Sequence, residues 1–325
     1  MKVYDTLITK YKPYFIKNFT NESSFLNTIN SLIEFDNLNV LFIGGISSGK
    51  TTLLNCLARE YYGLSEKQSI PENNTLFINN LKEQGIHYFR NEMKTFCQSR
   101  SAIYGKKKLV LIDDIDSINE QSQQVFRNYI DKYSKNIHFI TVCTNIQKVI
   151  ESIQSRLHIV TIPKHTPEYI SHTLEKIISS ENISIDENVK EYLLNISNGS
   201  IRILINHLEK IFIYNHELTV SDCEKLCSTI SYQHFDRYYS DLKNKNLHKS
   251  IETLNEIYDY GYSVIDILDY LFHYTKNCEN LEQTIRYEIT ILLCKYISIF
   301  HNIHEDNIEL SLMTNNIYNL LHKNT

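Results

Sequence analysis

The chain has 325 residues, enough for two or three domains. Hydrophobic residues make up 42% and charged residues 22%, which excludes an intrinsically disordered chain and leaves ample apolar material for a core. The net charge of -5 excludes a stand-alone basic nucleic-acid binder, but not a protein that meets DNA with one face of an assembly.

Five short apolar runs mark the first half: Val40–Ile43, Leu76–Ile78, Leu109–Ile112, Phe139–Val142 and Ile159–Ile162. Each is rich in β-branched residues and bounded by polar or turn residues, the pattern of buried parallel strands. Helical periods lie between them, including Leu53-Leu54-Leu57-Ala58-Tyr61, Ile86-Phe89-Met93-Phe96 and Val125-Tyr129-Tyr133. Strands alternating with helices predict an α/β domain whose five-stranded parallel sheet carries flanking helices. Lys106-Lys107-Lys108 reads as an exposed loop before the third strand.

After Ile162 the strand signal stops, and Pro163 and Pro167 mark a boundary. No proline follows, which favours helix. Helical periods run through Tyr169–Ile178, Val189–Ile196 and Ile201–Ile211, with Asn198-Gly199 as a break and Ser200 as an N-cap. Asp222–Ile230 reads as a fourth short helix. A second helical block runs from about residue 231, with a break at Gly261 and a long stretch from Leu281 to Phe300. No apolar run approaches the roughly 20 residues of a membrane helix, and the N-terminus does not read as a signal peptide. Cys56, Cys97 and Cys143 fall in apolar patterns, as reduced core thiols do. Cys223 and Cys227 have no partner pair at zinc-finger spacing. This cysteine usage predicts a reducing intracellular compartment.

Gly44-Gly45-Ile46-Ser47-Ser48-Gly49-Lys50-Thr51 matches the phosphate-loop pattern G-x-x-x-x-G-K-S/T and takes three of the eight glycines. It follows a predicted strand and precedes a helix opening at Thr52, which is the context the motif requires. Glycines let backbone N–H groups turn inward toward phosphate oxygens, and the helix N-terminus adds partial positive charge. Lys50 would set a full charge on the β- and γ-phosphates of ATP. Thr51 would offer a hydroxyl to Mg²⁺. The strand Leu109–Ile112 ends in Asp113-Asp114, the Walker B pattern. Asp113 would hold the metal through its shell. Asp114 stands where many such ATPases carry the Glu that polarises water, and it is one methylene shorter.

Five further stretches carry a family resemblance. They are Lys10-Tyr11-Lys12-Pro13 (KYRP in the family); Gln84-Gly85-Ile86 with Arg90-Asn91 and Lys94-Thr95-Phe96 (RGI…VRNKIKTF); Asp113-Asp114-Ile115-Asp116-Ser117 with Gln123-Gln124 (DEADSMT…AQQALR); Ile150–Arg156 (IIEPIQSRC); and Asn198–Arg202 (GDMR). At matching spacing over nearly the full chain, the sequence resembles the small subunits of replication factor C, the AAA+ clamp loaders.

The resemblance implies an AAA+ nucleotide-binding domain at 1–164, a helical lid at 165–230 and an all-α collar at 231–325. It implies that Tyr11 and Pro13 pack by the adenine, and that the loop residues through Thr52 hold the nucleotide. Arg156 resembles the arginine finger that reaches a neighbouring subunit. Arg202 resembles sensor 2, and either Thr144 or Asn145 resembles sensor 1. Arg90 and Lys94 would face the DNA backbone without reading sequence. The implied partners are related subunits in a hetero-oligomeric ring, expected to be a pentamer, with a sliding clamp and primer–template DNA, and no membrane. The implied location is the nucleus or a viral or cytoplasmic replication site. The loop departs from the family's GPPGTGKT in lacking both prolines and the middle glycine, and Leu157 replaces the last residue of SRC.

Overall fold

Apolar runs that must bury both faces pair into one parallel sheet in the computed structural model, which describes residues 5–20, 22–79, 86–197, 199–214, 219–227, 230, 232–278, 281–300, 304 and 306–322. The strands are β1 (Val40–Ile43), β2 (Thr75–Asn79), β3 (Lys108–Asp113), β4 (Ile137–Cys143) and β5 (His158–Thr161). Their order is β2-β3-β4-β1-β5, with every pairing parallel. All five predicted runs are therefore strands, β1 with the expected ends and the other four with ends shifted by one or two residues.

Helices α1 (Leu7–Lys10) and α2 (Ser23–Glu34) precede the sheet. Between the strands come α3 (Lys50–Tyr62), α4 (Ile86–Gln98), α5 (Glu120–Tyr133) and α6 (Glu151–Gln154). Alternation along each strand sorts the core into two layers. Val40 and Phe42 pack with Phe25 and Ile29 of α2 and Leu53, Leu54 and Leu57 of α3. Leu41, Val110 and Ile112 point the other way, onto Met93 of α4, Phe126 and Ile130 of α5 and Ile153 of α6.

Two sequence expectations need correction. The helix after the phosphate loop opens at Lys50, not Thr52: Gly49 takes the N-cap with φ +82°, and Leu53 N–H donates to Gly49 O at 2.9 Å. The lysine run is not an exposed loop. Lys108 is buried and opens β3, and its ammonium donates to Phe96 O at 2.9 Å and Ser99 Oγ at 2.5 Å. It thereby satisfies a carbonyl in the last turn of α4. Lys107 pairs with Asp36 at 2.8 Å, and Lys106 alone of the three is exposed.

Helices α7 (Pro167–Glu181), α8 (Glu187–Ile196) and α9 (Ile201–Tyr214) complete the first compact unit, Met1–Glu217. Thr166 caps α7 by accepting from Tyr169 N–H, with Pro167 in the first turn where no N–H is needed. Ser200 caps α9 as expected, accepting from Ile203 N–H at 3.4 Å.

The second unit, Leu218–Thr325, holds α10 (Val220–Cys227), α11 (Tyr232–Lys243), α12 (Leu247–Asp259), α13 (Val264–Asn277), α14 (Gln283–Phe300) and α15 (Ile308–His322). Its core gathers Phe235, Tyr238, Leu254, Leu271, Ile289, Leu293 and Met313. Its described residues are all helix or connection, without a strand. Among the described residues no helix is long and apolar enough to cross a membrane.

Candidate nucleotide-binding site

Adjacent strands β1 and β4 send their connections to opposite faces of the sheet. The chain leaves β1 into α3 on one layer, and leaves β4 toward α6 on the other. Such a divergence leaves a crevice at the carboxyl ends of the strands, which is where ligands bind open α/β sheets. The phosphate loop, the acid pair at the end of β3 and the residues after β4 all sit at this edge.

The loop is held at both ends. Gly44 N–H donates to Cys143 O at 3.1 Å, extending the β1–β4 ladder by one bond. At the other end a Cβ on Gly49 would lie 2.7 Å from the ring of Phe19, in a conformation with φ +82°. Only glycine meets both demands. Ser47 also has positive φ, at 60°, and Ile46 at the tip is 88% exposed. Lys50, Thr51 and Thr52 form the first turn of α3. The Lys50 ammonium donates to Gly45 O at 3.0 Å and Gly44 O at 3.3 Å, so it lies across its own loop.

The Thr51 hydroxyl donates to Asp113 Oδ2 at 2.6 Å. Asp113 is buried, and its Oδ1 has no partner among the described residues. A hydroxyl and an unsatisfied carboxylate oxygen at a helix N-terminus are a hard-oxygen set, and they fit Mg²⁺ bound with substrate phosphates and water. Asp114 is exposed and left-handed, with φ +47°, a region Asp enters more readily than Glu. Partial burial first, then the charge of Asp113, raises its carboxyl above the ordinary value, while Lys50 opposes the rise.

Thr144 and Asn145 follow β4 directly and are both exposed. The Asn145 side chain caps the next turn by accepting from Gln147 N–H at 2.9 Å. Arg156 follows α6 and is engaged within its own chain. Its guanidinium donates to Asp131 of α5 and, at 2.7 Å, to Ser152 O. Arg202 is exposed on the first turn of α9, and no side-chain hydrogen bond ties it to the loop among the described residues. Lys94 is exposed on α4; the side chain of Arg90, on the same helix, lies outside the described residues.

The N-terminal segment is tied down at two points. Pro13 O accepts from the Cys56 thiol of α3 at 3.2 Å. Tyr11 OH donates to Glu181 of α7 at 2.5 Å, beside the Lys10–Glu181 ion pair at 2.6 Å. Phe19, which the sequence reading passed over, is buried against Gly49 and meets His165 edge-on, with ring centroids 6.0 Å apart. His165 stacks on Tyr169 at 5.3 Å, and Tyr169 OH donates to Asn18 O at 2.7 Å. Phe19 lies between two recognised motifs and carries no spacing signal of its own. Gln123, noted only as part of a resemblance, is buried. It donates to Ile118 O and Lys148 O and accepts from Ile150 N–H, all within 3.0 Å. It thus joins the turn after β3 to the segment leading to α6.

Comparison with known proteins agrees with this arrangement. Residues 40–163 match the AAA family, ATPases associated with various cellular activities. Residues 231–297 match the replication factor C C-terminal domain. Replication factor C subunit 4 of Saccharomyces cerevisiae is 28% identical over 87% of this chain and 86% of its own length. A protein of Acanthamoeba polyphaga mimivirus named as a replication factor C small subunit is 28% identical over 88% of each chain. Among solved structures, the Thermotoga maritima RuvB Holliday junction branch migration motor superposes with a TM-score of 0.53 at 11% identity, covering 75% of this chain and 85% of that one. That likeness concerns the fold alone. Two matched domains in the expected order, with relatives aligned along most of their length, give the chain an AAA ATPase domain followed by a replication factor C C-terminal domain, the organisation that its similarity to replication factor C small subunits implies.

Proposed function

We propose that this chain is an ATP-dependent clamp-loader subunit. It would assemble with related subunits into a hetero-oligomeric ring, help open a sliding clamp and help load it onto primer–template DNA at a nuclear or viral replication site. Residues 165–230 would serve as lid and 231–325 as collar. The observation that carries the reading is the Thr51–Asp113 hydrogen bond at 2.6 Å, which joins the phosphate loop to the acid pair within a chain matching both family domains.

In this reading the loop N–H groups and Lys50 bind and orient the phosphates. Thr51 and Asp113 hold Mg²⁺, which when bound neutralises developing charge on the transferred phosphoryl group. Asp114 accepts a proton from, or orients, the attacking water. Its carboxyl is raised, which strengthens it as a base, so its disadvantage against a Glu is its shorter reach to the water. Thr144 or Asn145 senses the γ-phosphate from the end of β4, and Arg202 reads it from the lid. Arg156 serves the neighbouring subunit's nucleotide, so the bond to Asp131 must open on assembly. Arg90 and Lys94 take the DNA backbone.

The test is to co-express the chain with its partner subunits and replace Asp114 by Asn. Clamp- and DNA-stimulated hydrolysis by the complex should fall while ATP affinity is kept. An unchanged rate would make this subunit a nucleotide holder. A chain that never joins such a complex would overturn the proposal.

A further inference from the structure

The turn after β3, Ile115–Ser117, carries a carboxylate that none of the roles above employs. Asp116 Oδ2 accepts two backbone hydrogen bonds, from Thr144 N–H at 3.1 Å and from Asn145 N–H at 2.9 Å. Its other oxygen, Oδ1, is buried and has no partner among the described residues. The donors belong to the two residues that leave the sheet after β4. The β1–β4 register ends at Ile43↔Cys143, so neither amide continues that ladder. One carboxyl oxygen takes the place of the missing strand neighbour.

We propose that Asp116 is a positioning residue for ATP hydrolysis: it fixes the backbone at 144–145 and so sets where the Thr144 hydroxyl and the Asn145 amide stand relative to the reacting phosphate. The inference rests on the proposal that this site hydrolyses ATP, and deepens it by naming what holds the γ-phosphate sensor. The geometry around Asn145 supports it. Its side-chain oxygen is committed to Gln147 N–H at 2.9 Å, capping the turn Ile146–Lys148. Backbone and side chain at 145 are thus tied on opposite sides, to Asp116 and to the following turn. The Asn145 Nδ2 group and the Thr144 hydroxyl remain to face a ligand. Asp116 lies two residues beyond Asp114 and adds to the charge that raises Asp114's carboxyl, so the turn sits within electrostatic reach of the acid pair. A loop freed at 144–145 should still bind nucleotide: the Cys143 carbonyl that holds Gly44 shares a peptide unit with the Thr144 amide, but Cys143 is also fixed by β-pairing with Ile43, and Phe19 holds the Gly49 end without Asp116. Hydrolysis would suffer, since displacement of a positioned group by about 1 Å costs up to roughly 100-fold in rate.

The experiment uses the full chain, by itself and assembled with its partner subunits, and three variants: Asp116→Ala, Asp116→Ser and Asp116→Asn. Asn keeps an oxygen that accepts both amides, and Ser is a second truncation in case Ala fails to fold. Single-turnover hydrolysis at saturating Mg·ATP, ATP and ADP affinities, and amide hydrogen exchange at 144 and 145 are measured together. The expected result for Ala and Ser is a rate at least about 10-fold lower at nucleotide affinities within about twofold of wild type, with faster exchange at both amides. Asn should restore the rate to within about threefold of wild type and also restore protection. The proposal is overturned if truncation leaves the rate unchanged, if both amides stay protected, or if Asn is as impaired as Ala. Absent turnover in the wild-type chain and its assembled complex would instead count against the hydrolysis reading. Exchange at 144–145 would then still decide whether Asp116 holds the loop.

Discussion

Replacing Gly49 by Ala tests whether the loop's shape depends on its close approach to Phe19. Two costs add. An L-residue at φ +82° costs about 1–2 kcal/mol in left-handed backbone. The new Cβ would stand 2.7 Å from the Phe19 ring, and that ring cannot retreat freely because it is 3% exposed and packs against Phe25 and His165. Forcing a methyl into such packing costs about 1–3 kcal/mol. The reduced freedom of the unfolded chain returns about 0.4–1 kcal/mol. The net loss is about 1–5 kcal/mol, or roughly 2–20 °C in melting temperature for a unit of this size. Gly45→Ala is the control: it has no positive φ, and nothing lies within 4 Å of its added Cβ. It should shift stability by less than about 0.5 kcal/mol. The assay is thermal unfolding of both variants without nucleotide, followed by ATP titration of each. Equal melting temperatures for the two variants would refute the reasoning, as would a Gly49→Ala protein that binds ATP like wild type.

Other outcomes follow from the same geometry. Asp113→Asn should weaken ATP binding in Mg²⁺ at least about 10-fold more than in EDTA, because it removes charge from the hard-oxygen pair; titrations under both conditions check this. Arg156→Ala should leave this chain's own ATP affinity within about twofold, yet abolish at least about 90% of the hydrolysis by an assembled complex, read by steady-state turnover. Stability should fall with pH in two windows. Burial holds the His138 imidazole below its ordinary value, so the unfolded chain takes up a proton first and stability drops as pH falls below about 6.5. Lys107, His138 and Tyr61 outweigh burial at Asp36 and bring its carboxyl down to about 2, so stability present above pH 3.8 is lost as pH falls toward 2. Denaturant titrations of wild type and His138→Gln should show a shallower slope between pH 6.5 and 5 in the variant. Lys108→Met should cost about 1–3 kcal/mol in urea unfolding, since Phe96 O then loses its buried donor.

The strands and the phosphate loop were legible because each rests on a local rule. A buried parallel strand must be largely apolar on both faces, and the runs at the centres of β1, β3 and β4 are. A phosphate loop needs glycine where a left-handed turn also leaves no room for a Cβ, and Gly49 is that position. Contacts that span the chain were not legible. Lys108 looks like part of a solvated run until α4 brings Phe96 O and Ser99 to it. Phe19 has no motif, and its meaning comes only from the glycine it abuts. His138 would pass for one more strand residue. It lies buried with Nδ1 accepting from Leu38 N–H at 3.3 Å and Nε2 facing Asp36 at 2.9 Å, the arrangement of a neutral ring that donates to a carboxylate.

The position of Asp114 bears on why this acid differs from the Glu of many related ATPases. At φ +47° the backbone favours a short side chain that can bond locally, and the Asp114 carbonyl also accepts from Ser117 N–H at 3.0 Å and Ser117 Oγ at 2.8 Å. Those two bonds close the turn that presents Asp116 to Thr144 and Asn145. Residue 114 therefore serves twice, with its carboxylate toward the site and its backbone as the corner of the turn. Lengthening the side chain to Glu would improve reach to water but act on that corner through its conformational preference. On the proposed reading, turnover at this site depends on both halves of residue 114, so reach alone does not determine how well it hydrolyses ATP.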